Sequence, residues 1–154
     1  MQMTSFLLRG VDASPVQIHL AKGRRRRGSA SEWESNVSVD SALRQCGVEP
    51  PDLHAVFPAD AGAGSGTDLA VALLLAAAAG AIPAERCAGY AAVGELSLAG
   101  EVRPVRGSVQ ISQTAASLGM RLLVPADSVL APGCRGTDVS TLQGAMEAVR
   151  DPVA

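Results

Sequence analysis

The sequence predicts an α/β fold, more narrowly α+β, with helices packed on a mixed sheet. Three observations predict it. Segments with the two-residue period of strands alternate along the chain with segments of helical period. One run, residues 69–79 (LAVALLLAAAA), is apolar on every side and reads as a helix buried all round. Apolar residues make up 47% of the chain and aromatics only 3%, so the core must be filled by closely packed Ala, Val and Leu, which suits helices lying tightly on a sheet.

The elements follow in order. Residues 15–21 alternate, with Val16, Ile18 and Leu20 on one face and Gln17 and His19 on the other, the period of a half-buried strand. That strand stops at KGRRRR, where Lys22, Arg24, Arg25, Arg26 and Arg27 put five cations into six residues. With GSAS after it, this stretch reads as an exposed basic loop over residues 22–31. Ser31 and Glu34 form a capping box for a helix carrying Val39, Ala42, Leu43 and Cys46 at helical spacing and closed by Gly47. Residues 53–57, behind Pro50 and Pro51, read as a second strand leading into the glycine-rich loop 59–66. The apolar helix comes next, with Asp68 at its N-terminus and Gly80 and Pro83 ending it. Residues 91–93 and 96–98 read as strand, and Ala99-Gly100, between LSL and EVRPV, suits a two-residue hairpin turn. Ile111, Thr114, Ala115 and Leu118 mark a helix closed by Gly119, followed by a strand over residues 121–124. Ser140 and Gln143 form a second capping box, opening a last helix on Leu142, Ala145, Met146 and Val149.

At 154 residues the chain fits one domain, residues 1–154, which at that size buries about two thirds of its unfolded surface. A net charge of −2 gives no global field toward nucleic acid or an anionic membrane. Cys46, Cys87 and Cys134 are odd in number and widely spaced, the pattern of reduced cysteines. The N-terminal apolar run is too short for a signal peptide, and the apolar helix falls short of the roughly 20 residues a membrane span needs. A soluble, cytoplasmic protein without membrane contact is expected.

Catalytic readings fare poorly on residue chemistry. A Ser/Lys dyad needs a lysine neutralised by burial, and the single lysine, Lys22, stands among arginines too charged to bury. His19 lies on the polar face of its strand, and no G-x-S-x-G elbow follows His54. Nothing near Cys87 or Cys134 would lower a thiol pKa. The loop GAGAGSGTD lacks the lysine of a P-loop, and Asp68 would repel an anion from the backbone N–H groups of that helix start.

Two stretches carry a family resemblance: PADxxxxxxxDLAVAL, residues 58–73, and GELSLAGEVRPVRG, residues 94–107. In order and wording they resemble the proteolytic domain of the Lon superfamily, of the ribosomal protein S5 domain 2-like fold. The likeness is strongest to the N-terminal, ChlI-like domain of the ComM/YifB Mg-chelatase-like AAA+ proteins, and DLAVAL is shared with the C-terminal domain of RadA/Sms proteins. The motif residues it singles out are Asp68, Gly94, Glu95, Gly100, Arg103, Pro104 and Gly107. In Lon peptidases the helix after the loop begins at a nucleophilic serine, and a lysine two residues beyond the equivalent of Gly107 is its base. Here those positions fall on Gly66 and Val109, with Ser65 adjacent, so the resemblance implies a domain without peptidase chemistry and without a cofactor. The chain is also shorter than the family between Lys22 and Ser31, which puts one sheet edge in question. With no Walker motif in the chain, the expected role is that of an accessory or assembly domain, self-associating or docking on an AAA+ partner. A serine peptidase with a displaced dyad and an inactive remnant of a ComM-like ATPase are the alternatives. Arg24 to Arg27 admit three readings: a solvated loop, DNA-backbone contact, or an acidic protein surface.

Overall fold

The computed structural model describes residues 1–23, 30–58 and 65–151, the side chains of residues 30–35 and 65 excepted. The basic tract at 24–27 and most of the glycine-rich loop lie outside the described residues. At the centre runs β1 (Gln2–Arg9). No alternation announces it, because Met3 to Phe6 are buried on both faces of the sheet. The chain turns at Gly10, whose φ of +63° suits a tight hairpin, and returns as β2 (Asp12–Lys22), antiparallel with Thr4 opposite Gln17. Along β2, Val16 and Ile18 are buried while Gln17 and His19 are exposed, as their period requires.

α1 (Ala30–Gln45) follows, burying Val39, Ala42 and Leu43, and Gly47 leaves it at φ +74°. It begins one residue before Ser31, whose capping side chain lies outside the described residues. β3 (Leu53–Val56) pairs antiparallel with β2 and forms the sheet edge that the short 22–31 segment had put in question. After a 3-10 turn, Ser65–Thr67, comes α2 (Asp68–Ala78), buried from Asp68 to Ala77 as an all-round apolar helix must be. A single turn, α3 (Ala84–Cys87), leads into β4 (Tyr90–Ala92), which lies parallel to β1. The short strands β5 (Glu95–Leu96) and β6 (Val102–Arg103) form a separate hairpin. α4 (Ser108–Ser117), β7 (Arg121–Pro125), β8 (Arg135–Val139) and α5 (Leu142–Arg150) complete the chain. Strand order is β3-β2-β1-β4-β7-β8, antiparallel on the β3 side and parallel from β1 to β8. The α/β expectation, with helices on a mixed sheet, is borne out.

α1, α2 and α5 cover one face, packing Leu69, Leu73 and Met146 over Met3, Ile18 and Leu123. α4 covers the other, with Ile111 and Ala115 on Phe6, Leu122 and Val124. No helix among the described residues is long and apolar enough to cross a membrane.

Three local expectations need correction. The β5–β6 turn is not the two-residue Ala99-Gly100 turn: Gly100 N–H donates to Ser97 O, so Leu98 and Ala99 occupy the corner. Gly100 follows them at φ +85°, the three-residue loop in which glycine supplies the left-handed residue. The cap of α5 is Thr141, not Ser140. Thr141 Oγ1 accepts the Gly144 N–H at 3.0 Å, while Gln143 Nε2 donates outward to Glu147. Finally, Leu118 is 50% exposed: α4 ends at Ser117, and Leu118 is its C-cap rather than a residue of its buried face.

Candidate functional site

The two family stretches meet at the N-terminus of α2. Gly94 N–H donates to Gly66 O at 2.9 Å, and Leu69 N–H donates to Gly94 O at 3.0 Å. Asp68, only 3% exposed, accepts the Leu96 N–H on Oδ2 at 3.1 Å. The carboxylate thus sits where a helix N-terminus favours negative charge, and it holds β5 against α2. Gly94 has no alternative here, since any Cβ would lie 2.6 Å from Val102 Cγ1. Gly100 packs over Ala42 of α1, and its carbonyl accepts the Leu142 N–H of α5 at 2.8 Å. Ser41 Oγ donates to Leu98 O at 2.8 Å, so the motif hairpin joins α1, α2 and α5. Gly107 precedes α4 at φ +77°, and a Cβ there would collide with Leu8. Glu95 stands opposite Arg103 across the β5–β6 ladder, and Pro104 follows on the exposed side. The sequence-derived motif residues are therefore brought into one neighbourhood, with Asp68, Gly94, Gly100 and Gly107 in architectural roles.

Beside them opens a cleft of about 460 Å³ between Phe6 and Leu8 of β1, Gly66, Val93 and the 104–106 segment. A Cβ on Gly66 would sit 3.4 Å from Val105 Cγ1, so the position that the resemblance gives to a nucleophile faces this cleft without a side chain. Val109 lies in the first turn of α4, and Ile111 of the same helix lines the cleft. The charged groups among the described lining residues are Glu95 and Arg106; none of those residues is Ser, Cys, His or Lys. The β1 wall of the cleft carried no sequence signal beyond the apolar run SFLL before Gly10.

The remaining candidates are dispersed. Lys22 is exposed at the far end of β2, seven residues beyond Pro15, the partner of cleft residue Phe6. At about 3.3 Å per strand residue that is ~23 Å from the cleft. Arg24, Arg25, Arg26 and Arg27 lie outside the described residues. His54 bonds through Nδ1 to Gly23 O at 2.7 Å, which puts its proton on that nitrogen, and His19 points outward opposite Val56. All three cysteines are free, and burial raises each thiol above its ordinary pKa; at Cys87 Glu85 adds to the rise, while at Cys46 Arg150 opposes it. No group of His, Cys, Asp and Glu among the described residues could hold a metal ion. Two buried serines escaped the sequence reading and prove structural. Ser5 Oγ donates to Ala92 O at 2.7 Å, and Ser112 Oγ donates to Val109 O while accepting the Ala131 N–H.

Comparison with known proteins gives the chain a family. The family model described as subunit ChlI of Mg-chelatase matches residues 29–128, the stretch that holds α1, α2, the motif hairpin and α4. Over 130 residues the chain is 32% identical to the uncharacterised protein YifB of Escherichia coli (strain K12), covering 77% of this chain and 26% of YifB. The chain thus spans little more than a quarter of that relative's length. With a family match over most of its residues and a YifB-like sequence, the chain belongs to the ChlI family of Mg-chelatase subunits.

Proposed function

We propose that this is a non-catalytic accessory domain of the Mg-chelatase-like type, working in the cytoplasm by self-association or by docking on an AAA+ ATPase that processes DNA. The observation that carries the reading is the cleft beside α2. Gly66 offers no nucleophile there, Val109 is aliphatic, and the one lysine is ~23 Å away along the sheet. A Ser/Lys mechanism needs both groups within hydrogen-bond reach. Asp68, Gly94 and Gly100, three of the residues that match the family motif, are spent on contacts joining the motif hairpin to α1, α2 and α5, which suits a domain whose surface, rather than its cleft chemistry, is used. The test is incubation with unfolded casein and with a serine-directed fluorophosphonate probe. The expected outcome is no cleavage and no labelling above the denatured control; labelling of Ser65 would replace this reading with a displaced-dyad peptidase. Sedimentation of the domain alone and with a ChlI-family ATPase core checks the assembly role, expected as a mass above the monomer in one of the two. Contact with DNA belongs to Arg24 to Arg27, and changing all four to Ser is expected to abolish duplex binding at low salt.

A further inference from the structure

The six-stranded sheet ends at β3 on one side and at β8 on the other. Leu53, His54 and Ala55 of β3 are partly buried, whereas Arg135, Gly136, Thr137 and Asp138 of β8 are all exposed. β8 pairs with β7 in parallel along its whole length, and Ala126 N–H, just past β7, donates to Val139 O at 3.1 Å. Successive residues of a strand turn their N–H and C=O groups to opposite edges, so Arg135 and Thr137 face β7 together with Val139. Gly136 and Asp138 therefore turn theirs outward. Two N–H and two C=O groups line this open edge, and no described residue bonds to them.

We propose that a second copy of this chain closes the edge, the two β8 strands pairing antiparallel about a two-fold axis at Thr137 and joining two sheets into one. The inference rests on the self-association reading above and gives it a surface. Its register follows from the edge itself. With Thr137 opposite Thr137, Gly136 of each copy faces Asp138 of the other and exchanges both bonds with it, so all the outward groups are used. An axis at Gly136 puts Asp138 opposite Cys134, whose N–H is already given to Ala131 O at 3.4 Å. An axis at Asp138 sets two carboxylates face to face, and axes between residues fail because opposite residues must share a face. In the Thr137 register the side chains also fit. Gly136 brings no side chain against Asp138, Arg135 lies opposite Val139 with no like charge across from it, and the two Thr137 hydroxyls meet as a favourable threonine pair.

Sedimentation equilibrium at rising protein concentration measures the dimer. Asp138→Pro removes one outward N–H per chain and nothing from the β7 ladder, so it should keep its melting temperature. It loses half of the bonds across the axis and should weaken the dimer about tenfold. Asp138→Ala keeps the N–H and should dimerise at least as tightly as the parent. Thr137→Cys puts two thiols across the axis at the Cα separation of a non-hydrogen-bonded pair, about 4.5 Å and within disulfide range. Mild oxidation should then give a covalent dimer, above the background set by the three free cysteines of the parent. Arg135→Cys, on the same face but with its two copies ~13 Å apart, should give none. A monomeric parent overturns the proposal, as does a dimer equally tight in folded Asp138→Pro; should that variant not fold, the cysteine variants decide. Thr137→Cys that oxidises no further than Arg135→Cys overturns it too. These results bear on the edge alone, since the assembly reading fails only if the parent neither self-associates nor binds the ATPase core.

Discussion

The two faces of the sheet are covered on different terms. On one, α2 is apolar all round and enclosed by α1, α5 and the sheet, so Leu69, Leu73 and Leu74 are wholly buried. On the other, α4 lies alone, buries Ile111, Ser112 and Ala115, and leaves Gln113, Ser117 and Leu118 to solvent. The first face is held by close packing in which the buried carboxylate of α2, Asp68, sits at the helix start and is hydrogen-bonded; the second is a single amphipathic layer with water one side chain away. The same substitution should therefore have very different consequences on the two helices.

The largest expected contrast is a carboxylate placed on each. Leu73→Asp puts an unpaired charge where no atom of the side chain reaches water. That costs several kcal/mol, enough to exhaust the ~5–15 kcal/mol by which a typical domain is stable. Leu118→Asp, at a half-exposed position, should stay within about 0.5 kcal/mol of the parent. Denaturant melts followed by circular dichroism measure both. A folded Leu73→Asp protein with an unchanged midpoint would remove the distinction between the faces.

How much of this was legible beforehand follows the same division. α2 was readable because eleven apolar residues leave no polar side to expose, and β2 because its alternation records one wet face. β1 was hidden for the opposite reason. Buried between two helical layers, it shows no period at all. β8 was hidden because, on the sheet edge, four of its five residues are exposed and RGTDV has no apolar face to detect. At the site, the motif residues were visible as words, but what they do was not. That Asp68 binds the Leu96 N–H, or that Gly94 yields to Val102, depends on a crossing of segments that only the fold brings about.

An intermediate effect separates the motif from the packing beneath it. Asp68→Ala leaves the buried Leu96 N–H without its carboxylate acceptor, a loss of about 1–3 kcal/mol. Asp68→Asn keeps an oxygen acceptor at the same place and should recover much of it. Hydrogen exchange at the Leu96 amide is the direct readout, expected to be faster in the Ala variant and near the parent in the Asn variant. Equal exchange in all three would mean that β5 is held on α2 by apolar contact alone.

The smallest effect concerns how each helix begins. Neither α2 nor α4 has a side-chain cap, and α2 instead gives its Leu69 N–H to the Gly94 carbonyl. α5 uses both devices: Leu142 N–H donates to Gly100 O, and Thr141 Oγ1 accepts from Gly144 N–H. The tertiary bond survives if the hydroxyl is removed, so Thr141→Ala should cost about 1 kcal/mol, the ordinary worth of a cap, and lower the melting temperature by roughly 2–4 °C for a chain of this size. Ser140, which the spacing S-x-x-Q nominates as the cap, is exposed and contributes only its carbonyl, bonded to Val102 N–H at 2.9 Å. Ser140→Ala should therefore leave the melting temperature unchanged. If the two substitutions exchanged their effects, the cap would lie at Ser140 and α5 would begin one residue earlier; if neither mattered, α5 would be held by its apolar edge of Leu142, Ala145, Met146 and Val149 alone, on the same terms as α2.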